Sequence, residues 1–262
     1  MKQILFIILA LLFYHYGGTQ QSIKWYNKGV KYAEQEDYKK ARQCFSEALA
    51  RDPYLVEAWF NLGLAKSKLK DYRGAIEDYS TAIDLRPSFA MAHNNRGADK
   101  NETGDLPGAI DDYTEAIRLK PGYARAYYNR GIVWYKLNKD SAALADFTKA
   151  TGLNPVMGDA WYNKGMVNNR MKNYQAAIND FSKAISIDST NAKAYKNRGI
   201  AKEAILEYQQ AIEDYDKSIQ ADASDCEVFK LSGMIKIKMH KAEEGLKAID
   251  RAREMGCTET DK

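Results

Sequence analysis

Proline is scarce, with 5 residues in 262, and only 3 cysteines and 3 histidines are present. The prolines are spread along the chain, so no proline-rich segment divides it. The histidines, His15, His93 and His240, have no ligand-spaced partners, which excludes an obvious metal site. Charge of one sign is never concentrated: the net charge is only +4, with no basic run and no acidic tail, so nucleic acid is not an expected partner. Long apolar runs are absent too. The most apolar stretch, Ile4 to Tyr14, is about half the roughly 20 residues that a membrane-spanning helix needs. What is present is an ordinary globular balance, 45% hydrophobic and 28% charged, with 18 tyrosines.

The first residues differ from the rest. Lys2 precedes the apolar run, and His15, Tyr16, Gly17, Gly18 and Thr19 follow it. A positive start, a short apolar stretch and then small residues describe a secretory signal peptide. The expected boundaries are 1–19 for this segment and 20–262 for the mature chain. Gly17 and Thr19 stand where Ala-x-Ala is usual, so an uncleaved anchor is the alternative and the only expected membrane link.

Glycine recurs at 29, 63, 97, 131, 165, 199 and 233, a step of 34 without insertion or deletion. Other columns keep the step. Four residues before each glycine stand Trp25, Trp59, His93, Tyr127, Trp161, Tyr195 and Phe229. Twelve after it come Ala41, Ala75, Ala109, Ala143, Ala177, Ala211 and Gly245. Sixteen after it come Phe45, Tyr79, Tyr113, Phe147, Phe181, Tyr215 and Ile249. Within a unit the apolar positions have helical spacing, as in Ala75, Ile76, Tyr79, Ala82 and Ile83. Turns are expected near 36, 70, 104, 138, 172, 206 and 240, and prolines 53, 87, 121 and 155 stop the second helices. No unit can bury its faces alone, so stability must come from neighbours.

A period of 34 with these columns, written out in WYNKGVKYAEQEDYKKARQCFSEALARDP (Trp25 to Pro53), resembles the tetratricopeptide repeat family. The resemblance implies an all-α solenoid of seven helix-turn-helix repeats in a right-handed superhelix with a concave groove. The repeats are expected at 22–55, 56–89, 90–123, 124–157, 158–191, 192–225 and 226–259.

Numbered within the repeat, position 7 reads Lys28, Leu62, Arg96, Arg130, Lys164, Arg198 and Ser232, and position 23 reads Cys44, Asp78, Asp112, Asp146, Asp180, Asp214 and Ala248. Matching position 23 with position 7 of the next repeat leaves one mismatch, whereas matching within a repeat leaves two. The expected structural ion pairs are therefore Asp78–Arg96, Asp112–Arg130, Asp146–Lys164 and Asp180–Arg198, joining repeats.

Catalytic constellations are missing. Each repeated glycine sits in a helix as a packing device rather than in a phosphate-binding loop. His93 occupies the aromatic column and reads as a packed side chain. Acid pairs such as Asp111–Asp112 point about 100° apart on a helix, which spoils them for acid–base work. No enzyme and no cofactor are expected.

The resemblance places positions 2, 5, 6, 9, 12 and 13 on the concave face. Position 6 is Asn27, Asn61, Asn95, Asn129, Asn163 and Asn197, and position 5 includes Tyr26, Phe60, Tyr128 and Tyr162. An amide offers both donor and acceptor to a peptide bond. This row is similar to the asparagine ladder of the protein O-linked N-acetylglucosaminyltransferases. Alternatively, asparagine is simply common at this position of the repeat. Lys193 and Lys196 lie where chaperone-binding relatives carry their clamp, but Ile200 and Asn197 depart from it. Repeat three is unusual in Asn94, Asp99 and Asn101, which mark either a polar subsite or drift, and drift is the simpler reading.

The expected function is a non-catalytic scaffold that holds another protein, as an extended peptide segment, in the groove. Export and a role in envelope complex assembly are expected with it. Self-association through repeat seven, or service as a regulatory subunit of a separate enzyme, are the alternatives. Cys226 and Cys257 come close if repeat seven folds as a hairpin, although packed helix axes about 8–10 Å apart exceed the roughly 7 Å Cα separation of a disulfide. Fraying ends would have to close that gap. Cys44 is expected to be a lone thiol.

Overall fold

The computed structural model describes residues 20–257; the segment read as a signal peptide, 1–19, lies outside the described residues. Among the described residues there is no strand. Helix α1 covers residues 20–34 and α2 Tyr38–Leu49. Then come α3 Val56–Lys68, α4 Tyr72–Leu85, α5 Ala90–Glu102, α6 Leu106–Leu119 and α7 Ala124–Lys136. They are followed by α8 Asp140–Leu153, α9 Gly158–Arg170, α10 Tyr174–Ile187, α11 Ala192–Ala204, α12 Tyr208–Ala221, α13 Cys226–Lys238 and α14 Ala242–Glu254.

The chain divides into two compact units, up to Val133 and from Trp134. In the first, α3 packs on α4 and α5 on α6, while α2 meets α3 and α4 meets α5. In the second, α9 packs on α10, α11 on α12 and α13 on α14, and α8–α9, α10–α11 and α12–α13 contacts join successive hairpins. Each unit is thus a stack of helical hairpins, the solenoid architecture expected from the repeat.

The turns fall where the periodicity puts them. Glu36, Lys70, Gly104, Asn138, Lys172, Leu206 and His240 all have positive φ. Each closes a Schellman-type stop in which the next residue's N–H reaches a carbonyl five residues back, as in Asp71 N to Lys66 O at 2.9 Å. Asp37, Asp71 and Asp105 then cap α2, α4 and α6, accepting from the amides of Lys40, Gly74 and Gly108.

Position 24 fills the space between helices: Phe45, Tyr79, Tyr113, Phe147, Phe181 and Tyr215 are all at most 1% exposed. The glycine column makes room for them, since a Cβ on Gly199 would lie 2.6 Å from the Tyr215 ring. Position 4 joins one repeat to the last. The indole N–H of Trp59 donates to Pro53 O at 2.8 Å, and that of Trp161 to Pro155 O at 2.9 Å. His93 Nε2 lies 3.2 Å from Pro87 O in the same place, so its ring does the work of the indole.

The inter-repeat ion pairs are corrected by the structure. Asp78, Asp112, Asp180 and Asp214 meet cations of their own hairpin. Arg96 binds Asp112 at 2.6 Å, Lys164 binds Asp180 at 3.1 Å, and Arg198 binds Asp214 at 2.6 Å. Asp78 pairs with Lys66 at 2.7 Å, not with Arg96. Position 11, one turn after position 7, supplies the second donor: Lys100 to Asp112 at 2.9 Å, Asn168 to Asp180 at 2.7 Å and Lys202 to Asp214 at 2.8 Å. Asp112–Arg130 and Asp180–Arg198 therefore fail as rungs of the expected ladder, as Asp78–Arg96 does. The physical reason is the antiparallel hairpin, which places residues 16 apart face to face, Arg96 with Asp112 as Gly97 with Tyr113. The arginines do link repeats, but through hydroxyls. Arg96 donates to Ser80 Oγ at 3.0 Å, Arg130 to Thr114 Oγ1 at 2.9 Å and Arg198 to Ser182 Oγ at 2.9 Å.

Cys226 and Cys257 form a disulfide with Cα atoms 5.9 Å apart. Fraying is not what closes the gap. Gly256, with φ of 91°, turns the chain after α14, and the amide of Cys257 bonds Ala252 O at 3.1 Å. That turn carries Cys257 back over the start of α13. Cys44 is a buried free thiol, pushed up by burial.

Candidate functional site

The asparagine row is tied between repeats. Asn61 Nδ2 donates to Tyr26 OH at 3.0 Å, Asn129 Nδ2 to Asn94 Oδ1 at 3.0 Å and Asn197 Nδ2 to Tyr162 OH at 3.2 Å, in each case 35 residues apart. Position 6 thus reaches position 5 of the repeat before it. Asn163 Nδ2 bonds Asp159 O at 2.9 Å, as Asn197 Nδ2 also bonds Lys193 O at 2.9 Å, and Asn27 is exposed. Each such bond spends one of the two Nδ2 donors, and Asn197 spends both, while the side-chain carbonyl is held in one orientation and can meet a partner's N–H.

The position 5 aromatics are half-buried against the position 24 rings. Tyr26 stands 5.8 Å from Phe45, and Tyr162 stands 5.8 Å from Phe181. Phe60 lies 5.7 Å from Tyr79 and 4.8 Å from Phe89. Tyr128 is likewise half-buried. These rings therefore contribute an edge to the surface and a face to the core.

In the first unit a recess of about 510 Å³ opens on the first helices of successive repeats. Ser67, Tyr79, Asn95, Ala98, Asp99 and Asn129 line it. A hydrogen-bonded line crosses it from Asn129 to Asn94 and from Asn94 Nδ2 to Asn95 Oδ1 at 3.1 Å. Asn94 itself is 2% exposed, so it braces the ladder from beneath.

Asp99 is the anomaly of this surface. It is 3% exposed, and its Oδ1 accepts from Ser67 Oγ at 2.7 Å, while its Oδ2 has no hydrogen-bond partner. Burial pushes its carboxyl up to about 6 despite the Ser67 hydrogen bond, and the charge of Glu102 adds to the rise. Burial also raises the Tyr79 and Tyr113 hydroxyls, with the Asp99 charge contributing. Tyr79 and Tyr113 read in the sequence as core alone, and their place in the recess was not legible there.

The comparisons with known proteins agree with this architecture. The tetratricopeptide repeat family profile matches residues 23–55, 56–89 and 158–191, and related profiles of the same repeat match 100–138 and 124–156. The chain belongs to the tetratricopeptide repeat family. Among solved structures, that of pilF from Pseudomonas aeruginosa is similar at a TM-score of 0.73 and 18% identity, covering 83% of this chain and 99% of that one. A tetratricopeptide repeat protein from Parabacteroides merdae matches at TM-score 0.66 and 20% identity, over 92% of this chain and 95% of its own. YrrB, described as a TPR protein with an unusual peptide-binding site, matches at TM-score 0.61 and 22% identity, over 75% and 97% respectively. No curated protein sequence matches the chain. The tetratricopeptide fold is a protein-interaction scaffold, and among the described residues no cluster of metal-ligating side chains accompanies it.

Proposed function

We propose that the chain is an adaptor that holds an extended segment of another protein against the first helices of its repeats. The observation that carries the reading is the recess of the first unit, where a braced asparagine line stands beside tyrosines and a buried carboxylate. An extended peptide presents alternating N–H and C=O groups, and fixed side-chain carbonyls can meet the former without further ordering. Each such bond contributes about 0.5–1.5 kcal/mol net, so affinity needs several at once. Asn163 and Asn197, with Tyr162, offer the same elements in the second unit.

The same reading includes export and service in assembling an envelope complex. Support comes from the apolar run at Ile4–Tyr14 and from the Cys226–Cys257 disulfide, which suits an oxidising compartment. The test is a pull-down from envelope extract with wild type and Ala98→Trp, which fills the recess and replaces none of the asparagines. Proteins retained by wild type and lost by the variant support the proposal. An identical retained set for both removes the groove from the account, and a cytoplasmic location of the native protein removes export.

A further inference from the structure

We infer that the recess at Asp99 is a subsite for a basic side chain, a lysine ammonium or arginine guanidinium, of the polypeptide bound in the first unit's groove. The inference rests on the groove reading above and adds a chemical specificity to it. Position 10 reads Lys31, Ala65, Asp99, Val133, Val167, Ala201 and Ile235, and the apolar members from Ala65 onward are at most 2% exposed. A carboxylate in this column is therefore buried where every other hairpin of repeats two to seven buries an alkyl group.

Position 23 carboxylates are equally buried, yet each described above has a cation of its own hairpin within ion-pair distance. Asp99 has none. Its carboxylate accepts one hydrogen bond, from the neutral Ser67 hydroxyl, and Oδ2 accepts none. Lys68 and Lys70 stand on the rim of the recess with Glu102, exposed, and neither lysine forms an ion pair with Asp99. A buried carboxylate without a counter-charge is costly, and a fold keeps such a group where something outside the chain completes it. The missing element is a cation with at least one N–H. A backbone amide would fill the hydrogen bond and leave the charge. A metal ion would need further ligands, and no group of three stands near. A basic side chain supplies both charge and donor, and its alkyl stem suits Ala98, Ile132 and the Tyr79 and Tyr113 rings that line the same recess.

The test uses n-butylammonium, which is the lysine side chain alone, titrated into the ¹⁵N-labelled full chain, with 1-butanol as the uncharged match. Saturable shifts of the Asn95 and Asn129 side-chain amides are expected with n-butylammonium and not with 1-butanol. Asp99→Asn should weaken the response about tenfold or more, and Ala98→Trp, which fills the recess and keeps the carboxylate, should abolish it. Ala98→Trp decides the matter if Asp99→Asn fails to fold. A response equal for both probes, or one that persists in Asp99→Asn and vanishes in Glu102→Gln, overturns the inference, as does the absence of any saturable shift. A selection from randomised peptides separates this outcome from the groove reading. Groove binders without a fixed Lys or Arg overturn the subsite and leave the groove. Failure to select any groove binder, with n-butylammonium still bound, removes the groove and leaves the cation site.

Discussion

Asp99→Asn is expected to stabilise the protein at neutral pH, because it removes a buried charge at almost constant shape. The Asp99 carboxyl is pushed from 3.8 up to about 6 in the folded chain, chiefly by burial. A group whose folded value is raised contributes stability that is complete below the unfolded value and lost as pH rises through the folded one. At about 1.4 kcal/mol per pH unit, the interval corresponds to about 3 kcal/mol of strain at pH 7.5 relative to pH 4. Asparagine does not ionise and keeps an acceptor for Ser67 Oγ, though its new N–H₂ needs partners of its own, so a gain of about 1–3 kcal/mol is expected at pH 7.5. The assay is urea unfolding of wild type and variant from pH 4 to pH 8, followed by helix content and by amide exchange in α5. The advantage of the variant should be near zero at pH 4 and should grow through pH 6 to a plateau. Asp78, also raised to about 6, titrates in both chains and drops out of the difference. A variant less stable than wild type at pH 8, or an advantage that does not change with pH, would refute the reasoning.

Double-mutant cycles should couple Arg96 to Asp112 and not to Asp78. Because Lys202 remains beside Asp214, Arg198→Met alone should cost less than the roughly 3–5 kcal/mol expected when Arg198 and Lys202 are both removed and the buried carboxylate is stranded; additive losses in chemical denaturation would contradict the shared site. Leu206 holds φ of 66° with its side chain 70% exposed, so Leu206→Gly should raise stability by about 0.5–1 kcal/mol, and a lower melting temperature would count against the strain argument. The disulfide closes a loop with a sequence separation of 31, worth about 3–4 kcal/mol in the chain-entropy account, so Cys226→Ser should accelerate amide exchange in α13 and α14 and leave α3–α6 unchanged.

The hairpins, their turns and the core columns were legible because they are set by steric rules that repeat every 34 residues. A glycine that faces an aromatic ring and a residue forced to positive φ leave their marks in sequence. The ion pairs differ from the expected ladder although the signal for them is present in the sequence. Gly97 against Tyr113 already gives the offset of 16 that puts Arg96 on Asp112, and Lys66, Lys100 and Lys202 form a column at position 11 that the pairing overlooked. That column also explains Asp78, whose own position 7 is Leu62. The asparagine line was visible as composition, but where each amide N–H is directed is a matter of rotamer, and no spacing reports it. Asp99 stood out in its column. Its lack of a partner did not, because that depends on which neighbouring groups turn toward it.

The groove is tested most directly by the affinity of one peptide, selected against the wild-type chain, for a small set of variants. Fluorescence anisotropy would compare wild type, Ala98→Trp, Asn95→Ala/Asn129→Ala, and a control carrying Glu77→Lys and Asp111→Lys on the exposed faces of α4 and α6. Melting curves accompany each, since Asn129→Ala strands the buried Asn94 carbonyl at a cost of about 1–3 kcal/mol. The account predicts that Ala98→Trp and the double alanine variant lose binding while folded, and that the control binds like wild type. Normal binding by Ala98→Trp together with loss in the Glu77→Lys/Asp111→Lys chain would contradict it.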